Sequence, residues 1–243
     1  MMFVISVGHA LPYASTRLDM NGKFLDGALS ALLAKRKKGD GFPEGYLREE
    51  AKWIRQKLCY VAKDYEEELL KLSTDPASIA KKYDIFDKII EVSDERFRIP
   101  EILFGKVLDE IELERGPFAP IHEVLLSSIM KCDKDIRDAL CSNVVLSGSY
   151  SLVEGLPERL QKEMEAIVYE GASVKVIALP ERKYLPWIGG SILASLSAFQ
   201  SAWISKAGTF FLLLNGLIID GFNLFPFVDY DEVGPKIVRR KCF

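Results

Sequence analysis

Apolar and polar residues recur along this chain at two periods, and the switch between them is sharpest over residues 143–164, NVVLSGSYSLVEGLPERLQKEM. Val144, Val145 and Leu146 form a short apolar run closed by Ser147-Gly148, a turn signal. Gly155 follows, and Leu156, Leu160 and Met164 then recur every four residues, which is one face of a helix. The pattern predicts strand, glycine turn, helix. A connection of that kind leaves backbone N–H groups directed at a crevice and suits a nucleotide or another anion. The spacing is neither that of a Walker loop nor that of a dinucleotide fingerprint, and an ordinary β-turn-α connection reads the same way.

The same periods organise the rest. Residues 3–7 read as a strand that residues 10–19 continue, with Asn21-Gly22 as a turn. Residues 25–35 read as a helix with Leu25, Leu29, Leu32 and Leu33 facing inward. The basic run at 35–38 is the solvated end of that helix, where cations complement the dipole. Residues 47–72 carry two helices or one broken helix; Trp53, Leu58, Cys59 and Val61 are the apolar positions of the first part, and Glu66, Glu67 and Glu68 form a solvated acidic face on the second. Residues 83–92 read as a strand or hairpin and 94–104 as a turn and short helix. Residues 105–120 are charged and irregular. Residues 121–140 are helical with a break near Asp133, and 174–179 are a buried strand stopped by Pro180. His122, lacking a second ligand nearby, reads as a capping or satisfied surface histidine rather than a catalytic base.

Composition narrows the picture only slightly. In 243 residues, 49% hydrophobic and 28% charged, there is room for one large or two smaller domains of an ordinary globular protein. A net charge of −3 gives no bulk attraction to nucleic acid or to an anionic membrane. Cys59, Cys132, Cys141 and Cys242 lack zinc or CxxC spacing and read as reduced thiols of a cytoplasmic or nuclear protein. The opening residues have no basic segment of the secretory kind.

The residues at 181–206, ERKYLPWIGGSILASLSAFQSAWISK, resemble the actin family. So do KLCYVA at 57–62, DERFRIPE at 94–101, SIMKCDKDIR at 128–137, the VVLSG…GLPERLQKEM stretch, and the tail DYDEVGPKIVRRKCF at 229–243. The resemblance implies an α/β, actin-like fold of the ribonuclease H-like, Hsp70-type ATPase class, here in incomplete form. Residues 1–20 and 116–184 would form the inner sheet subdomain of the larger domain, 21–115 its mostly helical outer subdomain, and 185–243 the C-terminal piece of the smaller domain.

Two glycine-rich phosphate loops of the family, Asp-Asn-Gly-Ser-Gly-like and Asp-x-Gly-x-Gly-x-Thr-like, occur nowhere in the sequence. Phosphoryl transfer depends on such positioning, so no ATP hydrolysis is expected of this chain alone. The adenosine contacts implied by the resemblance carry over to Lys52, Arg55, Gln56, Gly148, Ser149, Val153 and Lys183. Gln56 stands where the family has a Glu, a loss of about 1 kcal/mol of charge-assisted bonding. Ser149 adds a Cβ where the backbone should approach the ligand. Val153 replaces a tyrosine beside the adenine. ATP or ADP binding is therefore expected to be weak or absent, with Mg²⁺ only alongside nucleotide.

Two stretches bear on assembly. Asp109, Glu110, Glu112, Glu114 and Arg115 charge a loop that in the family carries an apolar plug, which argues against an ordinary filament subunit. Residues 207–227, AGTFFLLLNGLIIDGFNLFPF, interrupt the family spacing. A retained segment of an unspliced message, a divergent loop packed on the protein, and a membrane or partner anchor all fit it; its apolar core is short for a membrane span. Ile188, Ile192, Leu193 and Leu196 form a stripe that either covers a sheet or walls a partner-binding groove. The expectation is an actin-like cytoskeletal protein that assembles with actin, actin-like subunits or actin-binding proteins, without direct nucleic-acid or membrane contact, in the cytoplasm or nucleus. The alternatives are a scaffold subunit of a chromatin or motor complex, and a non-functional gene fragment.

Overall fold

The computed structural model describes residues 4–6, 8–18, 20–36, 44–85, 88–105 and 119–202. The chain divides into two units, Met1–Leu185 and Pro186–Phe243. The first unit opens with an antiparallel pair, β1 (Ile5–Ser6) and β2 (His9–Ala10). The expected continuation of the sheet over 10–19 is replaced by a turn. Pro12 has no N–H to offer a ladder, and the Ser15 N–H and hydroxyl both donate to the Leu11 carbonyl, at 3.0 and 2.9 Å. Val4, Ala14 and Cys132 are buried together beneath it.

Helix α1 (Gly22–Arg36) begins where a reverse turn was expected, because the Asn21 side chain accepts the Phe24 N–H at 3.0 Å and caps it. Leu25, Leu29 and Leu33 are buried as the period requires, and Leu32 packs at their margin. Helix α2 (Glu44–Leu58) lies against α1. Its buried stripe is Leu47, Ala51 and Ile54; Trp53, read as one of the apolar positions, is 48% exposed. The spacing of four then three places residue 53 off that face, and size alone does not bury a side chain.

Helix α3 (Tyr65–Thr74) is capped by Asp64, which puts Glu66, Glu67 and Glu68 in the first turn, where the dipole favours them. The single turn α4 (Pro76–Ile79) leads to the hairpin β3 (Lys81–Ile85) and β4 (Lys88–Val92), then to α5 (Glu95–Glu101) and a 3-10 turn at Ile102–Phe104. Ile90, Val92, Phe97, Ile99 and Ile102 close one core with α1 and α2.

The helical stretch after residue 120 breaks as expected, into α6 (Ile121–Met130) and α7 (Lys134–Cys141). Strand β5 (Val144–Val145) runs parallel to β6 (Val176–Ile177), with α8 (Leu156–Ile167) between them in sequence. Leu160 and Met164 meet Ile129, Cys141, Val144 and Val174 in a second core. The buried strand expected at 174–179 is shorter and wetter: Val176 and Ile177 are half-buried and Leu179 is 40% exposed.

In the second unit, α9 (Leu185–Ser195) and a 3-10 stretch at Ser197–Ala202 are described, and no residue of α9 is buried. The expectations for the charged loop interior (106–118), for the 207–227 segment and for the tail fall outside the described residues.

Candidate functional site: a strapped glycine turn facing a paired arginine

After β5 the chain must reverse, and Gly148 takes φ 91, ψ 162, a conformation that glycine alone adopts readily. The N–H groups of the turn, expected to face a crevice, are largely spent internally. Gly148 N–H donates to the Arg182 carbonyl at 2.9 Å, Ser151 N–H to Gly148 at 3.2 Å, and Val153 N–H to Tyr150 at 3.2 Å. Arg182 straps the turn from the other side, its Nε donating to the Ser151 carbonyl at 3.0 Å.

The turn ends at Gly155, φ 80, pressed on the segment that follows α2. Val61 N–H donates to the Glu154 carbonyl at 2.8 Å, and a Cβ on Gly155 would sit 2.2 Å from the Val61 carbonyl oxygen. No residue with a Cβ fits there without moving backbone.

Arg55 approaches the turn from α2. It lies on the helix's apolar face, 5% exposed, and its Nε donates to Asp26 Oδ1 on α1 at 2.6 Å. Its guanidinium sits 5.0 Å from the Tyr150 ring centre, a cation–π contact. The Tyr150 hydroxyl is buried and has no hydrogen-bond partner, and burial, ahead of the opposing pull of Arg55, pushes its pKa up. Burial also pushes the neighbouring Cys59 thiol up to about 12, against the lowering effect of Arg55 and Arg96.

Of the residues read from the sequence, Arg55 meets the turn that follows Gly148, at Tyr150. Val153 is 8% exposed and part of the first core, beside Leu156. Lys52, Gln56, Ser149 and Lys183 are exposed. The Lys52 and Lys183 ammonium groups lie 5.1 Å from the rings of Trp53 and Tyr184. On α9, Ile188 is half-buried while Ile192 and Leu193 are exposed, and Leu196, just past its end, is exposed as well. Sequence reasoning missed Asp26, Tyr150 and Arg182. One clue was available: an arginine one residue from Ile54 and four from Ala51 sits on a buried stripe and must find a carboxylate.

His122 is not the surface residue expected. It is 8% exposed, its ring is stacked on Phe104 at 6.0 Å, and Nδ1 is buried without a partner. Burial lowers its pKa first; Glu163 and Glu123 oppose that, and Arg159 adds to it. Arg159 lies over Phe104, 4.8 Å from the ring centre. It is bound to Glu101 by contacts of 2.7 and 3.2 Å, to Glu163 at 2.6 Å and to the Ala62 carbonyl at 2.8 Å.

A family model for actin matches residues 2–208. The chain belongs to the actin family. Its mixed helices and short strands fit an actin-like fold. Actins are ATPase-like proteins that generally bind ATP with Mg²⁺, associate with actin or actin-like partners, and are usually cytoskeletal or cytoplasmic. No helix among the described residues is long and apolar enough to cross a membrane. Three of the seven residues that the actin resemblance assigns to adenosine are engaged within the fold. Arg55 is committed to Asp26 and Tyr150, Val153 to the core, and the Gly148 N–H to Arg182.

Proposed function

We propose that this chain is an actin-like structural protein that works by assembly with actin or partner proteins, with a degenerate adenosine site and no competent ATPase centre of its own. The observation that carries the reading is Arg55. A cation free to meet a nucleoside would be half-solvated, and this one is buried and charge-paired within its own fold. The absence of both phosphate-loop patterns from the sequence supports the same conclusion, because phosphoryl transfer is almost wholly positioning and charge stabilisation. Support for assembly comes from family membership and from α9, where Trp187, Ile192 and Leu193 are all exposed.

Two measurements test the reading. Purified chain with Mg-ATP should release phosphate no faster than buffer; turnover above background refutes it. Mixed with polymerised actin and centrifuged, the chain should pellet with the filaments. Absence from the pellet favours the second reading, a scaffold subunit of a chromatin or motor complex, which the charged residues at 109–115 independently support.

A further inference from the structure

The parallel pair of β5 and β6 has two edges, and only one of them is closed. On the outer edge of β6, the Val176 N–H donates to Gln161 Oε1 at 3.4 Å. On β5, Val144 and Leu146 turn their N–H groups to β6 and donate to the Lys175 and Ile177 carbonyls, at 3.0 and 2.9 Å. A trans peptide points its C=O opposite its N–H, so the Asn143 and Val145 carbonyls, in those same two peptide planes, face away from β6. Alternation along extended backbone turns the Val145 and Ser147 N–H groups the same way. Among the described residues, neither of these N–H groups has an acceptor and the Val145 carbonyl has no donor. Asn143, Val145 and Ser147 are all exposed, Val145 at 55%.

Strands of parallel sheets are ordinarily interior, and an open edge is ordinarily blunted by a charge, a proline or a covering segment. Residues 143–153, NVVLSGSYSLV, hold no charge and no proline. The open groups run in a definite order: Asn143 C=O, Val145 N–H and C=O, Ser147 N–H. Turned about a two-fold axis at Val145, this row is its own complement, each partial positive charge meeting a partial negative one. Val145 of each copy donates to Val145 of the other, and Ser147 of each donates to the other's Asn143 carbonyl. The Asn143 N–H is already spent on the Leu140 carbonyl, at 3.2 Å, so the pairing strands no donor there. The two Val145 side chains then meet across the axis, as a cross-strand apolar pair. We propose that β5 is a self-pairing edge, to which a second copy of this chain adds antiparallel at Val145. The shared edge is short, so the dimer is weak and reversible. The proposal does not depend on the actin-assembly reading, and a chain that fails to pellet with filaments leaves it untouched.

The experiment is analytical ultracentrifugation of the whole chain over a concentration series, with circular dichroism melts to show that each variant folds. The parent should shift reversibly from the mass of one chain to that of two, and no further. Val145→Lys sets like charges opposite each other at the axis and should raise the dissociation constant about tenfold or more. Ile192→Asp, on the exposed face of α9, should leave the constant unchanged. Amide hydrogen exchange of the parent keeps the test decisive if Val145→Lys does not fold: exchange at Val145 and Ser147 should slow as concentration rises, while Val144 and Leu146, already paired, stay as they were. A parent that is monomeric throughout overturns the proposal and leaves the edge to a strand of another protein. Association that survives Val145→Lys, is abolished by Ile192→Asp, or runs on past the dimer overturns it as well.

Discussion

Glu101→Ala should be among the most damaging single changes in the first unit. Glu101 is fully buried and Arg159 is 2% exposed, and the two are joined by contacts of 2.7 and 3.2 Å. Arg159 keeps Glu163 and the Ala62 carbonyl after the change, but it loses the carboxylate that neutralises it on its buried side. Breaking such a pair from one end costs about 3–5 kcal/mol. Urea slopes of about 1–3 kcal/mol/M turn that loss into a midpoint shift on the order of 2 M, with the slope unchanged. Arg159→Met should also destabilise, because it removes the cation that neutralises the buried Glu101 carboxylate. The double variant Glu101→Leu, Arg159→Met should lose less than the sum of the singles, since neither charge is then left buried without the other. Urea denaturation followed by far-ultraviolet circular dichroism measures all three. A Glu101→Ala loss below about 1 kcal/mol, or a double-variant loss equal to the sum of the singles, would refute the reasoning.

Other consequences are open to measurement. Gly155→Ala adds a Cβ 2.2 Å from a backbone oxygen at a left-handed φ and should cost more than Gly148→Ala, which has open space and only backbone strain, about 1–3 kcal/mol; thermal melts rank the two. His122 has a lowered folded pKa, so below its unfolded value near 6.5 the unfolded chain takes up a proton that the folded chain refuses. The stability it withholds should be absent above about pH 7 and grow as pH falls through 6.5; His122→Phe, which keeps the stack on Phe104, should flatten the stability profile between pH 7.5 and 5.5. The Cys59 thiol, raised to about 12 by burial, should resist a small thiol reagent at pH 8 in the folded chain and react once the chain is denatured; prompt native labelling, located by mass spectrometry, would contradict the burial.

Much of the framework was legible because local period reports burial directly. Leu25, Leu29 and Leu33, like Leu156, Leu160 and Met164, are inside for the reason their spacing gave. The break before α7 was legible at Asp133. Failures came where apolar character was read without its face, as at Trp53, or where a short polar side chain chose between turning the chain and capping a helix, as at Asn21. The candidate site was less legible. Asp26 and Arg55 are 29 residues apart, and Tyr150 meets Arg55 only once α2 and the glycine turn are docked, so no local pattern announces either contact. His122 misled for a similar reason: Phe104, its stacking partner, lies across the charged 105–120 stretch.

Only Cys59 and Tyr60 stand between the end of α2 at Leu58 and Val61, whose backbone grips Glu154 and abuts Gly155. Tyr60 is itself anchored, its N–H to the Arg96 carbonyl and its hydroxyl to Glu68 at 2.6 Å. A linkage this short has no play in it. Whatever levers α2 is felt at once in the loop beyond it, and whatever prises that loop apart must drag the helix along, so the two behave as one mechanical part with two handles.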